Sequence, residues 1–295
     1  MAKNIFRGTT EINNIYRGNT EVQKVYSGQT EIWAAAIGTP DADAFIAQVI
    51  LDGGTLSATQ QSAIQQLETD LRATPGLYSK LHAIYPLVGG GPAASKYNLK
   101  GAASSFTYTL GFNGSWLYPS TGVTVGNTTS YADTFLSPSG IVALGTGIGV
   151  HLYLTVNNQA VTQYDFGANS QALIMGFGNT TLYANFVSRP SDTYKTVAAA
   201  VTGVGDLYSS QHDANGTGNT SNWKNGTSLL SSAASGFTST EALSFYLGND
   251  NRFDQSPNEG GNKGYGFGCL SSYLDSTEMT GFNTAVQTYN STLGR

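Results

Sequence analysis

His151–Val156 reads HLYLTV and Ala242–Gly248 reads ALSFYLG. Both are short runs in which apolar and polar or aromatic side chains alternate. That period of two belongs to a strand, whose successive side chains point to opposite faces of a sheet. The same pattern recurs in SFTYTLGF (Ser105–Phe112), QALIMGF (Gln171–Phe177) and TLYANFV (Thr181–Val187). Between the runs stand Asn113-Gly114, Asn157-Asn158, Gly178-Asn179, Asn215-Gly216 and Asn225-Gly226, pairs that tolerate the positive φ of tight turns. From Tyr97 to about Phe267 the chain therefore reads as an antiparallel sandwich or barrel.

Moving outward, VGGGPAAS (Val88–Ser95) is a breaker run that marks a junction. Before it, residues 39–86 read as helical. Thr39, Pro40 and Asp41 are start signals for a first helix. Ser57 with Gln60 three residues later is a capping box, followed by Ile64, Leu67 and Leu71 at helical spacing and a Pro75-Gly76 stop. A shorter helix is expected over Leu77–Ile84. At the far end Ser276 can cap a helix in which Met279, Phe282, Val286, Tyr289 and Leu293 recur near helical spacing.

The first residues repeat a decapeptide: NIFRGTTEI, NIYRGNTEV and KVYSGQTEI, starting at Asn4, Asn14 and Lys24. Gly8, Gly18 and Gly28 hold the same place in each, as a hairpin loop requires. The repeats predict a four-stranded meander (Asn4–Arg7, Glu11–Arg17, Glu21–Ser27, Glu31–Ala35) with Ile12, Tyr16, Val22 and Tyr26 on one face and Ile15 and Val25 on the other. Ile32 and Trp33 extend the apolar set. So small a sheet cannot bury two apolar faces by itself. These eight residues are the expected assembly surface, toward symmetry mates or another protein; the competing expectation is packing on the rest of the chain.

The composition excludes several classes. The net charge is −5 and no Lys/Arg block is present, which disfavours a nucleic-acid partner. No apolar run reaches the length of a membrane span, and MAKNIFRG lacks the apolar core of a signal peptide. Cys269 is the single cysteine, which excludes an internal disulfide and a cysteine-built zinc cluster.

The stretch IYRGNTEVQKVYSGQTEIW (Ile15–Trp33) resembles the N-terminal repeats of tailed-bacteriophage structural proteins. The segment running from PDADAFIAQ at Pro40 through LSATQQSAIQQLETDLRATPGLYSKLHAIYPLVGGGPAASKYNLK to Lys100 is similar to one that precedes a concanavalin-A-like (laminin-G-like) jelly roll, notably in phages of Bacteroidetes including the crAss-like group. SFYLGNDN (Ser244–Asn251) and GYGFGCLSSYLDSTEMTGFNTAVQTYNSTLG (Gly264–Gly294) resemble the closing strands and terminal helix of that jelly roll. The resemblance implies a mainly β virion protein. Residues 1–38 would form an attachment element, 39–96 a helical collar and linker, and 97–295 the jelly roll. The implied partners are other virion proteins and copies of the chain itself, as a trimer.

Catalysis has little support. Retaining glycosidases need two carboxylates ~5 Å apart, yet no Glu-x-Asp pair falls in a strand-like run between residues 97 and 270. His82, His151 and His212 show no nucleophile or ligand spacing. GTGIG (Gly145–Gly149) is followed by a strand pattern rather than the helix a phosphate loop needs. No metal site or cofactor is assigned. Calcium is the one ion the loops admit: DANGTGNTSNWK (Asp213–Lys224) offers Asp213, Asn215 and Thr217 but ends on Lys224, not Glu, and GNDNRFD offers Asn249, Asp250, Asn251 and Asp254. A polar turn with Asx bonds is the favoured reading of both loops. Sugar binding needs an aromatic face among amides and carboxylates. The residues placed in that role are Trp223, Asn225, Asp250, Arg252 and Tyr265, with Trp116 assigned to the core. The function expected is a virion structural component (fibre, appendage or decoration) displaying a lectin-like jelly roll, with host or mucosal glycans as ligands. A tail adhesin is the alternative and a polysaccharide-degrading enzyme comes last.

Overall fold

The computed structural model describes residues 5–7, 10–12, 15–17, 20–22, 24–27, 30–34, 39–144, 147–156, 163–168, 173–178, 181–185, 195–197, 204–213, 219–233, 243–251 and 263–295. They fall into two compact units, Met1–Pro40 and Asp41–Arg295.

The first unit is three hairpins: β1 (Ile5–Arg7) with β2 (Thr10–Ile12), β3 (Ile15–Arg17) with β4 (Thr20–Val22), and β5 (Lys24–Ser27) with β6 (Thr30–Ala34). Arg7 stands opposite Thr10, Arg17 opposite Thr20 and Ser27 opposite Thr30. This differs from the predicted meander. The described strands pair two by two, as three separate sheets. The register also regroups the apolar positions. Ile15 lies opposite Val22 and Tyr16 opposite Glu21, and residues directly opposite share a face; Val22 therefore belongs with Ile15, not with Tyr16. In the third hairpin Val25 is opposite Trp33 and Tyr26 opposite Glu31.

The second unit is a two-sheet sandwich with a helical layer. Its helices are α1 (Pro40–Leu51), α2 (Ala58–Ala73), α3 (Leu77–Lys80), α4 (Ala93–Lys96), α5 (Pro138–Leu144) and α6 (Ser276–Thr292). The first sheet runs β19 (Thr227–Ala233), β18 (Asn219–Lys224), β17 (Asp206–His212), β12 (Ile148–Val156), β22 (Gly264–Ser271), β10 (Val123–Val125), β9 (Trp116–Leu117). The strand β7 (Leu81–Tyr85) shares the β10 side of β22. The second runs β16 (Lys195–Val197), β15 (Thr181–Asn185), β14 (Leu173–Gly178), β13 (Gln163–Ala168), β20 (Tyr246–Leu247), β11 (Tyr131–Asp133), β8 (Gly111–Asn113), with β21 (Asp250–Asn251) parallel on β13. The other described pairs in both sheets are antiparallel.

The strand that holds HLYLTV is the hinge of the architecture because both of its faces are buried. Val150, Leu152 and Leu154 enter the core between the sheets, with Phe166, Tyr208, Leu247 and Leu270. Tyr153 enters a second core against the helices, with Leu67, Phe267, Phe282 and Val286. Each such side chain taken fully out of water contributes ~1.5–3 kcal/mol, and two layers stacked on one sheet give two such cores. The helices expected over residues 39–86 thus lie in one compact unit with the sandwich.

Local signals explain the element ends. Ser57 and Gln60 form the predicted capping box, at 3.2 and 2.8 Å. The last helix is capped one residue earlier than expected: Asp275, not Ser276, accepts from the Thr277 and Glu278 amides. A carboxylate there also opposes the helix dipole. The predicted helix over Leu77–Ile84 stops at Lys80, because LHAIY alternates and completes the edge of β22 instead. In SFTYTLGF, only Gly111 and Phe112 enter a strand; Tyr108 takes a positive φ of 57° and the Leu110 amide donates to the Lys96 carbonyl. At β22 a bulge places Gly266 beneath the end of α6. A Cβ there would stand 2.8 Å from Asn290 Oδ1 and 2.9 Å from Arg295 Nη1, so only glycine lets the chain end approach.

Candidate functional site

The outer face of the first sheet is covered by α1, α2 and α6. The outer face of the second is built differently. In β11, Ala132 is fully buried toward the inter-sheet core, which turns Tyr131 and Asp133 outward. In β20, Leu247 is buried opposite Ala132, and Tyr246, opposite Asp133, turns outward. The Tyr131 and Tyr246 rings stack with centroids 4.1 Å apart and planes 11° apart. Desolvation, then the Asp133 charge and Tyr131, push the Tyr246 phenol above its ordinary pKa.

Asp133 organises the next step of the chain. Its Oδ1 accepts from the Phe135 amide at 2.7 Å. Phe135 holds a φ of 55° and is 63% exposed. A bulky residue in the left-handed region is an outlier. It is locked there from both sides: the Thr134 amide donates to the Phe245 carbonyl at 3.0 Å, and the Phe245 amide donates to the Leu136 carbonyl at 2.9 Å. The Phe135 ring lies on Gly111, the residue opposite Asp133, where a Cβ would meet ring carbons at 3.0 and 3.1 Å. Asp133 thus has Tyr246, stacked on Tyr131, on one side and the Phe135 ring, over Gly111, on the other.

Of the residues singled out from sequence, the described Trp223, Asn225 and Tyr265 side chains do not share one surface. Trp223 is half-buried on β18, packed toward the helical layer with Nε1 on Ser221 Oγ at 3.0 Å. Asn225 forms the predicted Asn-Gly turn between β18 and β19, with φ 49°. Its Oδ1 accepts from the Leu207 amide and from Gln287 Nε2, and its Nδ2 donates to Asp206 at 2.6 Å. Tyr265 was expected on a binding surface and is instead fully buried, because the β22 register turns it into the inter-sheet core. There its hydroxyl donates to Asp165 Oδ1 at 2.5 Å, and Lys263 Nζ meets Asp165 Oδ2 at 3.0 Å, both ion-pair side chains being buried. Asp250 pairs through its backbone with Gly167 on β13; its side chain, and all of Arg252, lie outside the described residues. Trp116 is half-buried, donating to the Asn113 carbonyl and packing edge-on against Phe112 at 5.0 Å.

Of the calcium loops, Asn215, Thr217, Gly218 and Asp254 lie outside the described residues. Asn249 and Asn251 are buried, and their amides donate to the Thr128 and Ser244 carbonyls. Among the described residues no group of three His, Cys, Asp or Glu is placed to hold a metal ion. The histidines are held by hydroxyls: His212 at Thr220 at 3.1 Å, and His82 at Ser272 and buried His151 between Ser209 and Ser271 at 2.8 Å. Burial pushes the His151 pKa down to about 3.

Sequence reading missed the Tyr131–Tyr246 surface. Its trace was present: YAD (Tyr131–Asp133) and FYL (Phe245–Leu247) are short alternations with one small or aliphatic residue facing inward. Their juxtaposition was not, because β11 and β20 are distant in the chain.

No protein-family model and no curated protein matches the chain. Solved structures do. A Trypanosoma rangeli sialidase in complex with 2,3-difluorosialic acid matches at 11% identity and TM-score 0.50, over 76% of this chain and 38% of its own. A botulinum neurotoxin type C, described as entering cells through two ganglioside molecules, matches at 8% and TM-score 0.49 over 71% of this chain and 52% of its own. The CBM40 of the Ruminococcus gnavus IT-sialidase, bound to α2,3-sialyllactose, matches at 11% and TM-score 0.41 over 52% of this chain and 91% of its own. The chain thus spans about two fifths of the sialidase. At these identities the likeness is one of fold alone, that of a β-sandwich.

Proposed function

We propose that this chain is a lectin-like virion protein that binds glycans through the Tyr131–Asp133–Tyr246 surface and is anchored by its N-terminal hairpins. The observation that carries the binding reading is the partly exposed aromatic face itself. Stacked Tyr131 and Tyr246, with Phe135 beside them, lie around a carboxylate on the sheet opposite the helical layer. Pyranose rings present apolar C–H patches that pack on aromatic faces, while a carboxylate accepts their hydroxyl hydrogens. A face built this way favours an adhesin over a passive decoration. The anchoring reading rests on the decapeptide resemblance and on Met1–Pro40 being a compact unit of its own. Partners in this reading are other virion proteins and further copies of the chain, taken as a trimer. No described helix is long and apolar enough to cross a membrane.

The reading is of a binder, not a hydrolase. Of the described carboxylates in the sandwich, Asp165 is buried with Lys263, and Asp206 is engaged by Lys224 and Asn225. Asp133 is the one described carboxylate on the aromatic face, where glycoside hydrolysis needs two.

The test is a glycan array probed with the full chain and with Tyr246→Ala. Binding by the first and loss in a folded second supports the site; binding that survives the substitution moves the site elsewhere. For the anchor, deletion of residues 1–38 is expected to leave a folded sandwich that no longer joins particles. Normal incorporation of the truncated chain ends that reading.

A further inference from the structure

We infer that the ligand of the Tyr131–Tyr246 surface is an uncharged pyranose, and that anionic sugars such as sialic acid or sulfated residues are rejected there. This inference rests on the glycan-binding reading of that surface and adds the charge class of the ligand.

The first observation concerns Asp133. One oxygen is taken by the Phe135 amide at 2.7 Å. Among the described residues the other accepts no protein hydrogen bond, and the carboxylate makes no ion pair. It stands half-exposed between Tyr246, opposite it on β20, and Gly111, opposite it on β8. A carboxylate with one arm fixed and one arm open accepts a hydroxyl hydrogen and repels an anion in the same place. Both effects are strengthened by the low dielectric that the neighbouring rings create.

The second observation concerns cations. Recognition of a sugar carboxylate or sulfate calls for Arg, Lys or converging N–H donors. Seven cationic side chains of the second unit are engaged away from this surface. Arg72, Lys80, Lys96, Lys224 and Lys263 stand in ion pairs. Lys100 and Arg295 donate to backbone carbonyls. The Asp133 amide-holding arm consumes the Phe135 N–H, so the strained loop offers no free donor at that point either.

The third observation concerns shape. The Tyr131–Tyr246 pair is nearly parallel, which leaves a ring face rather than a slot, and Phe135 adds a largely exposed second ring held at a cost in backbone strain. Together they fit the flat C–H side of a hexopyranose whose hydroxyls reach Asp133.

The experiment uses the full chain on an array carrying matched pairs, lactose against sialyllactose and unsulfated against sulfated N-acetyllactosamine, with Tyr246→Ala and Asp133→Asn as variants and thermal melts to confirm folding. The expected result is binding to neutral members with at least about tenfold preference over their anionic partners, and little change with added salt. Both variants are expected to lower it at least about tenfold. Preference for the anionic members, abolished by Tyr246→Ala, overturns the charge inference while leaving the site standing. Unchanged neutral binding in folded Asp133→Asn also overturns it. Absence of any glycan binding, or binding indifferent to Tyr246→Ala, removes the site itself and this inference with it.

Discussion

Replacing Phe135 by asparagine separates a role in binding from a role in folding. Phe135 is 63% exposed at φ 55°. The covered third or so of a ~200 Å² side chain is ~70 Å², or about 1.8 kcal/mol at ~25 cal/mol/Å². That figure is an upper bound, since the unfolded chain already hides part of its surface. Against it stands relief of left-handed strain, about 1–2 kcal/mol, because asparagine occupies that region readily. The two nearly cancel, so Phe135→Asn is expected to change stability by no more than about 1 kcal/mol, about 2–4 °C in Tm for a unit of this size. Phe245, whose backbone bonds the two neighbours of Phe135 but whose ring is fully buried and packed edge-on against Phe166, is expected to cost ~3–5 kcal/mol as alanine. Differential scanning calorimetry reads both. Titration of the best array ligand into Phe135→Asn is expected to show at least about tenfold weaker affinity, equivalent to ~1.4 kcal/mol. A Tm loss near that of Phe245→Ala would make Phe135 a packing residue, and unchanged affinity would leave its strain without a function; either refutes the reasoning.

Three further outcomes are expected. Lys263→Met strands the buried Asp165 carboxylate beside Tyr265 and is expected to cost ~3–5 kcal/mol by urea denaturation, whereas the double change Lys263→Met with Asp165→Leu costs less. His151 has a folded pKa of about 3, lowered by burial, against ~6.5 unfolded. The unfolded chain therefore takes up a proton that the native state refuses, and stability falls as pH drops from ~6.5 toward the folded value, by about 1.4 kcal/mol per pH unit for this residue. His82, lowered to about 4 by burial and then by Lys100, acts in the same direction. His151→Gln is expected to flatten the fall measured between pH 7 and 5. Gly266→Ala drives a methyl against Asn290 and Arg295 and is expected to lower stability by ~1–3 kcal/mol in a thermal melt.

Local chemistry was readable residue by residue. The Ser57–Gln60 box, the Asn225-Gly226 turn and the buried stripe Met279, Phe282, Val286, Tyr289 all depend on contacts within a few positions, and all are found. So was the β character of HLYLTV, though not that both its faces are covered. Where a segment's partner lay far along the chain, the reading failed. Leu81–Tyr85 reads as a helix's end until β22 supplies an edge for it. Tyr265 reads as a surface aromatic until a bulge in β22 fixes which way it turns.

The sequence by itself determined that the body is an antiparallel β structure joined to helices and preceded by a repeated hairpin, because propensity, capping and turn formation are settled over a few bonds. Only the tertiary structure decided which sheet face the helices cover. That choice rests on register between strands remote in the chain. It buries Tyr265 and brings Tyr131, Asp133 and Tyr246 together, although nothing in their sequence neighbourhoods distinguishes one tyrosine from the other.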